Sequence, residues 1–193
     1  MLLQNLRTQT APFHSSLEQN PVSLRLMSET VTLTDYKVYL RGLYGYLKNY
    51  ESLMLSRLEA INKPVNKYRK MLLIESDLLM LDYEPDQIPV IEQEQLMTIY
   101  PSLESTLGGL YVLEGSMLGG VVIRKHLQKC LGIEVEGKLQ YLGAYGDVPA
   151  LRWKDFLVFF CAAAGHLEEN EVINGAIGTF QSIDKWLRTT IND

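Results

Sequence analysis

Apolar residues recur every three or four positions along most of the chain, which is the spacing of the buried face of an amphipathic helix. Strand patterns are hard to place anywhere in the sequence. The spacing predicts a first helix over 2–17, which Pro12 weakens or bends, and a short helix over 22–27 after a break at Asn20-Pro21. A long helix follows, opened by Thr34 and Asp35 and ended by Asn62-Lys63-Pro64. The remaining predicted helices are one over 71–81, a glycine-bearing helix between Pro101 and Gly132, and two aromatic helices over 153–164 and 173–187.

These elements indicate an all-α fold, and their unequal lengths without a persistent heptad favour a helical bundle with irregular crossing angles. The glycine-rich segment 141–149 is predicted to be a loop. With 193 residues, 47% of them hydrophobic, the chain is long enough for a substantial core. We therefore expect a single domain over residues 1–193.

The predicted glycine-bearing helix is unusual because glycine inside a helix costs about 1 kcal/mol relative to alanine. Five glycines lie within it: Gly108, Gly109, Gly115, Gly119 and Gly120. At the angular spacing of a helix, Gly108, Gly115 and Gly119 form a bare seam along one face, bordered by Ser116. Such a seam suits either a neighbouring helix packed at close range or a flat ligand lying directly on the backbone.

Charge and cysteine content narrow the function classes. The net charge of −5 and the scattered Lys and Arg residues argue against a nucleic-acid partner. Glu114, Arg124 and Lys125 interrupt the apolar run of the glycine-bearing helix, so no membrane span is expected. Two isolated cysteines and an N-terminus without a secretory pattern favour a reduced, cytoplasmic protein.

His14 is the first candidate for chemistry, because Glu18 lies one turn after it and Arg7 two turns before it on the same predicted face. This arrangement suits one ring nitrogen on a metal, the other held by Glu18, and a cation about 10 Å away for a distant anionic group. An ordinary surface pair of His14 with Glu18 explains the same spacing. His126 and His166 are interpreted as polar residues near helix C-termini.

Two stretches together resemble the haem oxygenases of bacteria. The run LRTQTAPFHSSLE at 6–18 resembles their proximal helix, and LYVLEGSMLGG at 110–120 resembles their distal helix. The resemblance continues in the same order through the loop at 141–146, the aromatic segment from Trp153 to Phe156 and the closing helix. The bacterial type that the sequence resembles includes the partners of bacteriophytochromes.

The resemblance implies a haem oxygenase-like fold in which haem lies between two helices, with His14 as the axial iron ligand. It implies Arg7 and Lys154 as cations for the haem propionates, while Glu18 stays a candidate from its spacing to His14. It places four residues over the other haem face, where bare backbone and ordered water reach dioxygen: Gly115, Ser116, Gly119 and Gly120. Ser116 stands where animal members carry an aspartate, which leaves the proton-delivery route unassigned.

The implied activity is oxidative cleavage of haem b, which is both substrate and cofactor, to biliverdin, carbon monoxide and free iron. Dioxygen and electrons from ferredoxin or a flavoprotein reductase are required, and a bacteriophytochrome is an implied acceptor of the bilin. The same resemblance admits a haem-binding or haem-transfer protein without turnover. At the level of the fold it also admits a relative of the helical thiamin-degrading or quinone-cofactor enzymes.

Overall fold

Helices make up the regular structure of this protein. The computed structural model describes residues 1–61, 63 and 66–190, and within these ranges it contains no strand. The α-helices are α1 (Leu2–Glu18), α2 (Pro21–Leu26), α3 (Leu33–Ala60), α4 (Met71–Leu79), α5 (Gln93–Ile99), α6 (Leu103–Leu131), α7 (Pro149–Ala164) and α8 (Glu169–Thr189). The all-α prediction is confirmed, although α5 was not foreseen.

Most helix ends follow local signals in the sequence. The Asn20 side chain accepts a hydrogen bond from the Val22 amide at 2.9 Å, and Pro21 begins α2. Gly132, with φ of +54°, ends α6 as predicted. α1 runs without interruption through Pro12. α3 ends at Ala60; Asn62 and Pro64 of its predicted stop lie outside the described residues.

The predicted start of α3 at Thr34 was wrong. Thr32 is the N-cap, because its hydroxyl accepts a hydrogen bond from the Asp35 amide at 3.2 Å while the Asp35 carboxylate accepts one from the Thr32 amide at 2.9 Å. This reciprocal capping box satisfies two amides that would otherwise lack a partner at the helix end. The helix therefore begins at Leu33, and its N-cap lies two residues before the predicted Thr34.

α8 lies against both α1 and α6. It runs antiparallel to α6, because Gly108 meets Val172 whereas Ser105, nearer the start of α6, meets Gly175. It runs parallel to α1: the Asn5 amide donates to Glu169 at 2.5 Å and the Asn20 amide to Asp184 at 2.8 Å. α1 and α6 hardly touch each other directly. α8 thus holds both α1, which carries Arg7 and His14, and α6, which carries the glycine seam.

α6 is, by length and composition, apolar enough to cross a membrane, contrary to the expectation from its charged residues. The candidate segment is Leu103–Val135, and 56% of its apolar window is buried inside the fold. Its Glu114 side chain is also buried. Burial against neighbouring helices is the pattern of a core helix in a soluble protein, which passes the same test of composition.

Candidate functional site

The glycines of α6 fall into two groups that the sequence could not separate. A Cβ at Gly108 would lie 2.0 Å from the Val172 carbonyl oxygen, and a Cβ at Gly109 would lie 2.7 Å from the Tyr100 ring. At Gly120 it would lie 3.4 Å from the Leu142 carbonyl oxygen. The distance at Gly120 is an ordinary contact, so close packing within the protein accounts for Gly108 and Gly109 only.

Gly115 and Gly119 have no such explanation. A Cβ at Gly115 would lie 3.5 Å from the Trp153 ring, which is an ordinary contact distance. At Gly119, which is exposed, a Cβ would meet no heavy atom of the described residues within 4 Å. The first predicted use of the seam, close helix packing, is thus found at Gly108, while the backbone at Gly115 and Gly119 is left bare and a ligand there stays a prediction.

An aromatic wall from α6 and α7 stands beside the bare backbone. The Trp153 ring lies 5.5 Å from the Tyr111 ring and 5.2 Å, nearly parallel, from the Phe156 ring, measured between centroids. Burial raises the pKa of the Tyr111 hydroxyl, and the positive charge of Arg7 lowers it. Arg7 on α1 is therefore near this face of α6. Lys154, the neighbour of Trp153, is exposed.

His14 lies on the exposed side of α1. Its side chain is 60% exposed, and its ring packs edge-on against Phe180 of α8 with centroids 5.7 Å apart. Nδ1 lies 3.6 Å from a carboxylate oxygen of Glu18. Nε2 has no hydrogen-bond partner among the described residues, so it is the nitrogen that can bind a metal.

The structure brings some of the predicted residues together and leaves others apart. His14 and Glu18 are paired, and Arg7 lies near Tyr111 of α6. Ser116 is exposed beside Gly115, where its hydroxyl donates to the Leu113 carbonyl oxygen at 2.8 Å. Within the described part of the chain, neither Arg7 nor Lys154 forms an ion pair or a side-chain hydrogen bond. Both cations are therefore open to an external anion.

These residues fit the group that the resemblance implies. A haem bound through histidine needs an imidazole nitrogen free for its iron, apolar surface for its ring and cations for its propionates. The corresponding groups are an aromatic wall and, as far as the described residues show, an Nε2 without a hydrogen-bond partner and two cations without an ion pair. The bare backbone at Gly119 leaves room above a flat ring where any side chain would intrude.

The other predicted histidines have different surroundings. His126 makes a hydrogen bond of 2.9 Å between its Nε2 and the Ser28 carbonyl oxygen, which joins α6 to the segment after α2. His126 lies near the C-terminus of α6, as predicted, and this hydrogen bond gives its side chain a structural role. His166 is exposed just after α7 ends.

A buried polar cluster behind α6 was missed by the sequence analysis. Lys70 and Glu114 form an ion pair in which both residues are less than 10% exposed, and the Tyr145 hydroxyl donates to the other Glu114 oxygen at 2.8 Å. Glu114 had been read only as a charge that interrupts an apolar run. The partners of Glu114 are distant in sequence, so the sequence does not reveal them. A charged residue on a strongly apolar helix is the one feature that indicates a buried ion pair.

Comparison with known families gives one match. The family described as heme oxygenase matches residues 1–189. Comparison with curated proteins and with solved structures finds no match to this chain.

Proposed function

The chain belongs to the haem oxygenase family, and from that premise we propose that it cleaves haem b to biliverdin, carbon monoxide and free iron. Dioxygen is the oxidant, and the electrons come from ferredoxin or a flavoprotein reductase. The observation that supports the proposal beyond family membership is the accessible bare backbone at Gly115 and Gly119, which no packing within the described residues requires.

His14 is the proposed axial ligand. When bound, the haem supplies the iron at which dioxygen is reduced and the ring carbon that is oxidised. Binding would use Nε2 of His14, while the Glu18 carboxylate, now 3.6 Å from Nδ1, would hold the proton on that nitrogen once it closes to hydrogen-bond distance. A neutral imidazole at this position would donate less electron density to a bound iron than a thiolate would.

Arg7 and Lys154 are the proposed partners of the propionates. A guanidinium can grip a carboxylate through two parallel hydrogen bonds, whereas an ammonium acts as a point charge. Because neither side chain forms an ion pair with a described residue, no internal bond must break when haem binds. These contacts would fix how the haem is rotated in its pocket, and hence which ring carbon is cleaved.

Gly115, Ser116, Gly119 and Gly120 are proposed to cover the opposite face of the haem. Glycine backbone lets the helix approach the ring closely and lets ordered water reach the dioxygen. Trp153, next to Gly115, and Tyr111, whose ring is tilted against that of Trp153, would offer apolar surface to the edge of the ring. The same surface would exclude bulk water from the reacting carbon.

Further proposals concern cellular context. We propose that residues 1–193 form one cytoplasmic domain of the bacterial type, and that a bacteriophytochrome accepts the bilin. The alternative role is iron acquisition. Neighbouring genes would do so, since a phytochrome gene favours chromophore supply and haem-uptake genes favour iron release.

The test of the proposed activity is a single-turnover experiment. Purified protein is loaded with haemin, and ascorbate or ferredoxin with its reductase is added under air. We expect the Soret band to decay while biliverdin absorbance rises, with one carbon monoxide released for each biliverdin formed. A stable Soret band without biliverdin would instead indicate a haem-binding or haem-transfer protein.

A further inference from the structure

An open cleft lies at the C-terminal end of α6, between this helix and the segment that follows it. α6 contributes Arg124 and Gln128 to the wall, and parts of 132–143 form the rest. The volume is about 460 Å³, which is in the usual range for small-molecule sites. None of the described residues that form the wall belongs to the proposed haem site.

The cleft and the proposed haem face lie on different sides of α6. At the angular spacing of a helix, Arg124 is about 180° around the axis from Gly115 and about 140° from Gly119. It is only about 40° from Gly120, whose Cβ would meet the Leu142 carbonyl oxygen at 3.4 Å. The helix itself therefore separates a ligand in the cleft from a haem on the opposite face.

Arg124 has no acceptor within the described part of the protein. Its side chain forms no ion pair and no hydrogen bond there, and its Nε is buried. The two Nη atoms also lack a partner, but they are not buried. Buried polar atoms nearly always have a hydrogen-bond partner, and an arginine carries five donors in a planar fork. The acceptor of this guanidinium must therefore come from outside the described chain.

Gly143 gives the guanidinium its position at the cleft. A Cβ at Gly143 would lie 3.0 Å from Nη1 and 3.2 Å from Cζ of Arg124, which is closer than most real Cβ contacts. Any side chain at 143 would therefore displace the guanidinium. The bare backbone of Gly143 lets the charged group lie directly against the chain.

The rest of the wall selects the kind of anion. Val135 and Leu139 supply buried apolar side chains, and Ile133 is 79% exposed, so an apolar group has a surface to cover. A single guanidinium binds a carboxylate through two parallel hydrogen bonds. Glu136, the one acid in the wall, opposes a second negative charge on the ligand. A monoanion with an apolar part therefore fits better than a phosphate.

We propose that this cleft binds a monocarboxylic acid with a small apolar body, whose carboxylate pairs with Arg124 and whose body packs against Ile133. The inference goes beyond the proposed function and does not depend on it, because the cleft shares no residue with the proposed haem site.

The test is a titration of isotopically labelled, haem-free protein with benzoate, followed through the glycine amides by NMR. Gly132, Gly137 and Gly143 line the cleft, whereas Gly115 and Gly119 report on the haem face. We expect saturable shifts at the three cleft glycines, with a Kd of about 1 mM or lower. Benzamide, which has the same shape without the charge, and acetate, which lacks the ring, should each bind about tenfold more weakly.

Variants assign the binding to the guanidinium. Arg124→Gln keeps a good helix former and should weaken benzoate binding about tenfold or more. Arg124→Lys keeps the charge without the paired donors and should bind with intermediate affinity. Arg152→Gln is the control, because Arg152 is exposed on α7 and forms no ion pair with a described residue. It should bind benzoate as the wild type does.

Several outcomes would overturn the carboxylate site. Equal affinity for benzoate and benzamide, or for benzoate and acetate, would do so in the wild type without any variant. Shifts confined to Gly115 and Gly119 would place benzoate on the haem face instead. Wild-type affinity in Arg124→Gln, or no shift at about 10 mM benzoate, would also exclude the site. Failure of the wild type to cleave haem would overturn the proposed function and leave this site intact.

Discussion

The backbone of Gly108 in α6 lies against the backbone of Val172 in α8, so closely that a Cβ at Gly108 would fall 2.0 Å from the Val172 carbonyl oxygen. Gly175 makes the reciprocal approach, since its Cβ would lie 2.1 Å from the Ser105 carbonyl oxygen. Two glycines, one on each helix, thus set the distance of this crossing. α1 is held on the same α8, so the crossing also sets the separation between α1 and α6.

Gly108→Ala should destabilise the haem-free protein by at least about 3 kcal/mol. The added methyl group collides with backbone, which cannot move aside as a flexible side chain would, and this cost exceeds the gain of about 1 kcal/mol in helix propensity. Denaturant unfolding followed by circular dichroism measures the change. An alanine variant as stable as the wild type would show that the two helices are farther apart than described.

Gly119→Ala should have the opposite effect on haem-free protein. No described atom lies within 4 Å of the added methyl group, so replacing a helical glycine stabilises the fold by about 0.5–1 kcal/mol. The same methyl group projects into the space proposed for haem and dioxygen, and we expect cleavage to slow about tenfold or more. Increased stability combined with full activity would contradict the placement of the haem at this face.

The capping box of α3 predicts a pH-dependent contribution to stability. Burial tends to raise the pKa of Asp35, but hydrogen bonds from Thr32 and the charge of Arg25 outweigh it and lower the pKa below its ordinary value. A depressed folded-state pKa stabilises the fold above the unfolded value of about 3.9, and this contribution is lost as pH falls through the folded-state pKa.

Asp35→Ala should therefore cost about 1 kcal/mol at neutral pH, with the difference from wild type shrinking as the pH falls below the unfolded-state pKa of about 3.9. Urea unfolding at several pH values measures it. Asp86→Ala is the control, because that side chain is 99% exposed and its pair with Lys48 should contribute little. If the difference in free energy of unfolding between wild type and Asp35→Ala stayed constant down to the lowest pH, the titration of Asp35 would not contribute to stability.

Local signals made most of the fold predictable. Asn20-Pro21 and Gly132 act through their own backbones and nearest neighbours, so their sequence is sufficient to place the ends of α2 and α6. Thr32 and Thr34 are both acceptable N-caps by residue type. The spacing from Thr32 to Asp35 decides between them, and that signal was overlooked.

Long-range packing limited what could be predicted of the site. The seam was visible as a helical pattern, but only the position of Val172 shows that Gly108 serves helix packing while Gly119 does not. The ion pair of Lys70 with Glu114 joins residues 44 positions apart, and no local pattern links them. His14, Arg7 and Lys154 were selected from the sequence, and their roles toward haem stay predictions.

The most direct test of the central claim is the Soret spectrum and turnover of haem-loaded His14→Ala, with His166→Ala as a matched exposed histidine. We predict a histidine-ligated Soret band and biliverdin formation in the wild type and in His166→Ala. Both should be lost in His14→Ala and restored by added imidazole, which replaces the missing ligand. A normal Soret band and normal biliverdin formation in His14→Ala would contradict the account.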